Sequence, residues 1–153
     1  MFDFDHPAED AASLRAWLAQ WDPLVAAVDF VPARALFAPN VAAFGTYAAE
    51  VMESRQRLED EQWRQVWPTI DDFKFDLQGM KTALSADRCM GLIMVNWTST
   101  GYQQDGQTFR RPGRATVVLT RPDLAQPWCA IHSHFSLLPG TPGKSHGNRP
   151  ARS

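Results

Sequence analysis

Asp72-Phe73-Lys74-Phe75-Asp76-Leu77-Gln78 is the point at which the chain changes period. Phe73, Phe75 and Leu77 alternate with polar neighbours, the pattern of a strand with one face buried and one face wet. Upstream the apolar spacing is helical. Leu14, Trp17, Leu18 and Trp21 recur at i, i+3, i+4 and i+7 behind a start at Asp5-His6-Pro7 with Glu9 and Asp10. Asp22-Pro23 predicts a break, then a second helix carrying Leu24, Val25 and Val28, kinked at Pro32 before Leu36 and Phe37 and ended by Pro39-Asn40. A short strand is expected over Val41 to Tyr47. Ser54 is placed to cap a third helix with Trp63, Val66 and Trp67 on one face, stopped by Pro68.

Downstream the pattern stays extended. A turn at Ala86-Asp87 precedes a long strand from Met90 to Gln103. Asp105-Gly106 is a hairpin signal, and Thr108 to Thr120 returns, interrupted by a bulge or bend at Arg111-Pro112-Gly113. Trp128 to Leu138 is the last strand. Helices first and a meander of strands afterwards predict an α+β fold, with a curved antiparallel sheet and the N-terminal helices on its concave face. Residues 1–138 form the domain, and the Pro-, Gly- and Ser-rich residues 139–153 a flexible tail.

Alternation sorts the strand residues into two faces. Phe73, Phe75, Leu77, Ile93, Val95, Trp97, Ala115, Val117, Leu119, Cys129, Ile131, Phe135 and Leu137 are expected beneath the helices. Lys74, Asp76, Asn96, Thr98, Thr100, Arg114, Thr116, Thr120, His132, His134 and Ser136 should face water or another subunit. Ser99 and Ser133 fall among the inner set beside Trp97, and Tyr47 is within reach of it. A mostly apolar interior with a few hydroxyls fits a small-molecule pocket, and it fits a hydrogen-bonded core equally well.

Composition narrows the partners. Hydrophobic residues make up 44% and charged residues 21%, with six Trp, which is a globular composition. A formal charge of −2 offers no electrostatic attraction for nucleic acid or an acidic membrane, so neither is expected as a partner. No apolar run approaches a transmembrane span, and Met-Phe-Asp-Phe-Asp-His lacks the parts of a signal peptide. Cys89 and Cys129, each inside an apolar run, read as reduced thiols; the expectation is a soluble, cytoplasmic protein.

Three groups of residues invite chemistry. His132-Ser133-His134 puts two imidazoles on one strand face, the way a sheet presents a metal site, or places them at a subunit interface. Ser136-Leu137-Leu138-Pro139 lacks the glutamate that a cupin needs, and Asp76 is the one candidate third ligand; the interface reading is preferred, and no metal or other cofactor is expected. Asp71 stands at the rim of the Phe73 strand, where a carboxylate could serve as a base or simply be solvated. Arg110, Arg111 and Arg114 around Pro112-Gly113 could grip a carboxylate or phosphate bidentately, or form a solvated hairpin. There is no phosphate-cradling glycine loop, nucleophile elbow or Cys-x-x-Cys.

Phe44-Gly45-Thr46, Asp72-Phe73-Lys74-Phe75, Arg114-Ala115-Thr116 and the strand Trp128-Cys129-Ala130-Ile131-His132-Ser133-His134-Phe135-Ser136 together resemble the SnoaL-like branch of the nuclear transport factor 2-like superfamily, over roughly residues 8–138. The resemblance implies a cone-shaped, cystatin-like α+β barrel, open at one end and paired into a homodimer through the polar sheet face. It implies a cone with an open end; for a small apolar metabolite bound there, strand parity offers Trp97, Ser99, Ser133 and Phe135 as the lining and Tyr47 as a candidate donor. Members include isomerases, cyclases and dehydratases that work by proton transfer from a pocket acid, and non-catalytic association modules. No Asp, Glu or His falls on the inner face here; His132, His134 and Asp71 are the candidate bases.

Overall fold

The computed structural model describes residues 1–152. Its long helix α1 (Ala8–Ala27) buries Leu14, Trp17, Leu18, Trp21 and Val25 along one stripe. The helix does not stop at Asp22-Pro23. A proline inside a helix costs about 3 kcal/mol, and the continuous burial of Trp17, Trp21 and Val25 outweighs it. Helix α1 ends instead at Val28, in the left-handed conformation with φ 53°. The next helix, α2, is only Phe30–Arg34, with Pro32 in its first turn, where a missing N–H leaves no bond unmade.

Phe37, expected in a helix, opens strand β1 (Phe37–Phe44). Pro39 is tolerated there because β1 is the terminal strand and its pairing slips between Phe37 and Ala42. A helical stretch follows: α3 (Arg55–Leu58), capped by Ser54 Oγ accepting from Arg57 N at 3.1 Å, a π-helical turn (Glu59–Trp63), α4 (Arg64–Val66) and a 3-10 turn (Trp67–Thr69). The remaining strands are β2 (Asp71–Phe75), β3 (Lys81–Leu84), β4 (Met90–Tyr102), β5 (Thr108–Arg110), β6 (Gly113–Thr120) and β7 (Cys129–Leu137).

These make one mixed sheet in the order β1-β7-β6-β4-β2, with β3 and β5 also paired to β4. All pairs are antiparallel except β1 with β7, which is parallel. Sequence alternation does not report strand direction, and the expected all-antiparallel sheet is corrected at this one pair. Strand β3 was not anticipated either, being four residues long and half exposed.

Trp21 ties helix to sheet. Its ring lies 4.8 Å from Phe37, 5.5 Å from Phe75 and 5.1 Å from Phe135, three strands held by one side chain. Each aromatic pair contributes about 0.5–1.5 kcal/mol beyond its buried area. Two buried carboxylates fasten the ends. Asp10 accepts from Arg88 and Arg121, and Glu59, 1% exposed, accepts from Arg34 and Arg64.

The face assignment holds for β2, β4 and β6 and fails at the start of β7. Pairing with β6 slips between Val118↔His132 and Leu119↔Ala130, leaving Ile131 as the extra residue of a bulge. Ala130 is therefore buried, while Cys129 and Ile131 are half-buried, and the expected alternation resumes at Ser133. The tail, expected to be loosely ordered, runs back over the body. His146 N donates to Tyr102 O, Gly147 N to Thr69 O, Arg149 N to Pro68 O and Arg152 N to Val28 O, all within 3.2 Å.

Candidate functional site

The cone interior closes around a cavity of about 30 Å³, room for a water or two. It is narrow because Trp21, Trp63, Trp67, Phe73, Trp97 and Phe135 converge on it from both layers. Phe44, 40% exposed at the end of β1, and Thr46 carry the lining out to the surface. The π-helical turn supplies Gln62 and Trp63, both buried; such turns are frequent at functional sites. Gln62 is fixed at both ends of its amide, accepting from Tyr47 N at 3.0 Å and donating to Thr46 Oγ1 at 2.9 Å.

Of the five expected lining residues, Trp97, Ser133 and Phe135 line the cavity. Ser99 is buried on the same face but is occupied by structure, its Oγ donating to Arg111 O at 2.8 Å. Tyr47 is corrected: it is 59% exposed, because the chain turns outward after Gly45, and its neighbour Thr46 takes the lining position.

The candidate bases lie elsewhere. His132, on the outer side of β7, has Nδ1 2.8 Å from Ala42 O, and His134 is exposed with its ring 5.2 Å from Phe44. Asp71 sits at the start of β2, accepts from Tyr102 Oη at 2.5 Å and meets Arg149 Nε at 3.1 Å at an angle too poor for a hydrogen bond. None of the three touches the cavity. Its lining has no carboxylate and no imidazole. Among the described residues no three His, Cys, Asp or Glu side chains gather as metal ligands.

What the lining does contain is Arg111. It is 2% exposed, and among the described residues no carboxylate pairs with it. Nε has no partner; Nη2 reaches Thr46 Oγ1 only at 3.4 Å, and the guanidinium lies 5.7 Å from the Trp97 ring centre. Burial without a counter-charge pushes its pKa down to about 10. Two further donors of the lining, Trp21 Nε1 and Trp97 Nε1, are buried without an acceptor in the protein.

Sequence reasoning grouped Arg111 with Arg110 and Arg114 and left it unassigned to a face. A usable signal was present. Ala115, Val117 and Leu119 are inward, and the same parity carried back through Gly113 reaches Arg111. Gly113 also makes the room: a side chain there would collide with the Trp97 ring.

No protein-family model and no curated protein matches the chain. Solved structures do. A Xanthomonas campestris protein named as a candidate calcium/calmodulin dependent protein kinase II association domain superposes with a TM-score of 0.69 at 22% identity, over 90% of this chain and 91% of that one. A nuclear transport factor 2-like superfamily protein of Salmonella enterica gives 0.67 at 15%, over 91% and 95%. A ketosteroid isomerase-like protein of Erwinia carotovora gives 0.71 at 12%, over 86% and 98%. With the helices on the concave face of a mixed curved sheet and matches of this extent, the chain has the nuclear transport factor 2-like fold.

Proposed function

We infer that the chain is a ligand-binding domain that takes a small, largely apolar molecule into the cone. The observation that carries this reading is a cavity walled by aromatic rings whose lining residues include Arg111, buried without a counter-charge, and Trp21 and Trp97. These are three of the five residues among those described that have a buried donor without an acceptor (Trp17 and Arg149 lie outside the lining). Buried polar groups are ordinarily satisfied, and exceptions gather where an occupant supplies the partner. Isomerase-, cyclase- or dehydratase-type proton transfer has no support from the lining, which offers no acid or imidazole to carry the proton. The SnoaL-like placement within the fold rests on the Arg114-x-Thr116 and Trp128-to-Ser136 motifs. A cytoplasmic setting belongs to the same reading and is supported by two free thiols, Cys89 and Cys129; no helix among the described residues is long and apolar enough to cross a membrane.

Native mass spectrometry of freshly purified protein tests the pocket. An organic mass retained by the wild type and lost from Ser133→Val, which narrows the cavity and whose circular dichroism matches wild type, supports it. Identical spectra of bare protein from both count against it.

A second reading, a homodimeric association module, is favoured by the outer sheet face. Met94, 38% exposed, lies in a groove of about 600 Å³ with Lys81, Arg114, Thr116, His134 and Ser136. The likeness to a kinase association domain adds to it. The occupant proposed is a second copy of this chain, and the two readings are compatible because pocket and groove lie on opposite faces of the sheet.

A further inference from the structure

We propose that Arg111 is an anion anchor and that the ligand of the cone is a small monocarboxylate, its carboxylate on the guanidinium and its apolar part among the aromatic rings. The inference rests on the pocket reading above and names the chemical class of the ligand. Arginine is ordinarily exposed or paired when buried, because its charge loses water on burial and must recover the interaction elsewhere. Here the recovery inside the protein is one long hydrogen bond to Thr46 Oγ1 and a distant aromatic face.

The remaining arginines that enter the body of the fold differ. Arg88 and Arg121 share Asp10, Arg34 and Arg64 share Glu59, and Arg149 meets Asp71. Arg55 has no acid but donates to Arg34 O and Phe37 O, so each of these arginines is given an acid or a pair of carbonyls, and Arg111 is given neither. Its backbone is held rigidly all the same: Arg111 N donates to Ser99 O at 2.8 Å and accepts through its own O from Ser99 N at 3.0 Å. A fixed main chain with an uncompensated planar cation is what bidentate recognition of a carboxylate requires.

Monovalent charge follows from the count. One cation and no second basic group line the cavity, so a dianion such as phosphate would carry an unbalanced charge into a wall of aromatic rings. The size follows from the volume. At about 30 Å³ the closed cavity holds only a water or two, so a small acid is accommodated only as Phe44, at the end of the terminal strand, and Thr46 just beyond it give way.

The probes are hexanoate, 1-hexanol and inorganic phosphate, titrated by calorimetry and by tryptophan fluorescence, since four tryptophans line the cavity. Wild-type protein is expected to bind hexanoate at least about 30-fold more tightly than 1-hexanol, in line with a charge-assisted pair. Arg111→Met is expected to remove that preference and to leave 1-hexanol bound as well or better. Arg111→Lys keeps the charge but not the fork and should retain part of it, which separates loss of the anchor from loss of the fold. If wild type binds the alcohol as tightly as the acid, or if Arg111→Met leaves hexanoate affinity unchanged, the anchor is overturned while the pocket stands. Tighter binding of phosphate than of hexanoate also overturns it. Binding of none of the three overturns the pocket reading together with the anchor.

Discussion

Ser99 and Arg111 exchange both of their backbone hydrogen bonds, and directly opposed residues of antiparallel chains share a face. Ser99 is buried inside the cone, so Arg111 is carried inside with it although Pro112 interrupts the strand one residue later. A structural pairing thereby places a charge where packing alone would refuse one.

That placement costs the fold stability. Arg111→Met is expected to raise stability by about 1–3 kcal/mol, the range in which apolar replacement of a poorly compensated buried charge falls. The sign with pH follows. A basic group whose folded pKa is depressed binds fewer protons when folded, so its penalty is full below about 10 and fades as pH rises toward the ordinary arginine value. Urea midpoints of wild type and variant should therefore differ at pH 7 and draw together above pH 10. A variant less stable than wild type at pH 7 would contradict the account.

Glu59 behaves in the opposite way. Hydrogen bonds first from Arg34 and then from Arg64 hold its carboxyl below the usual range, and Arg88 and Arg121 do the same for Asp10. Depressed acids stabilise the fold above their unfolded values of 4.5 and 3.8, and that contribution is lost as pH falls through the folded ones. Glu59→Gln should cost about 2–3 kcal/mol at pH 7, less than for a fully buried pair because the arginine ends reach solvent. Its stability should also decline less steeply than wild type on acidification from pH 5 to 3, followed by urea denaturation.

Arg149 fastens the tail to the cavity wall. Its guanidinium donates to Ala26 O at 2.6 Å and Trp67 O at 2.8 Å, the latter from a lining residue. Arg149→Met is expected to cost about 1–2 kcal/mol and to speed amide exchange over residues 67–70. Exchange rates there equal to wild type would show that the tail lies on the wall without bracing it.

The outer groove makes the fourth test. Met94→Glu should abolish self-association measured by sedimentation velocity while leaving circular dichroism unchanged, because the residue is exposed and contributes little to the monomer's core. A wild-type protein that sediments as a monomer removes the association reading.

Where a residue's neighbours along the chain decide its environment, the sequence was readable. The α1 stripe, the Ser54 cap, the Asp105-Gly106 turn and the alternation of Phe73 and Phe75 follow from local period and turn chemistry. What was not readable depends on partners far along the chain. Pro23 passes through a helix because Trp17, Trp21 and Val25 are held by the sheet. Ile131 bulges because of its register against Val118 and Leu119. Phe37 becomes a strand because β7 is there to pair with it. For the site, Trp97, Ser133 and Phe135 came from parity, whereas Tyr47 was misplaced by a loop that parity does not describe and Arg111 was masked by the proline after it.

The parallel pairing of β1 with β7 sets an order of events. Ala42 and Phe44 meet His132 and His134, ninety residues further on, and no intermediate strand substitutes for them. Loop closure over that distance has to precede any gain from the contact, which slows folding and leaves the β1 edge open while the chain is being made. During synthesis the wall carrying Phe44 and Thr46 stays without its neighbour until residues 129–137 have emerged. The cavity closes only after β7 docks, so a chain interrupted within residues 129–137 has most of the lining residues and no enclosed cavity.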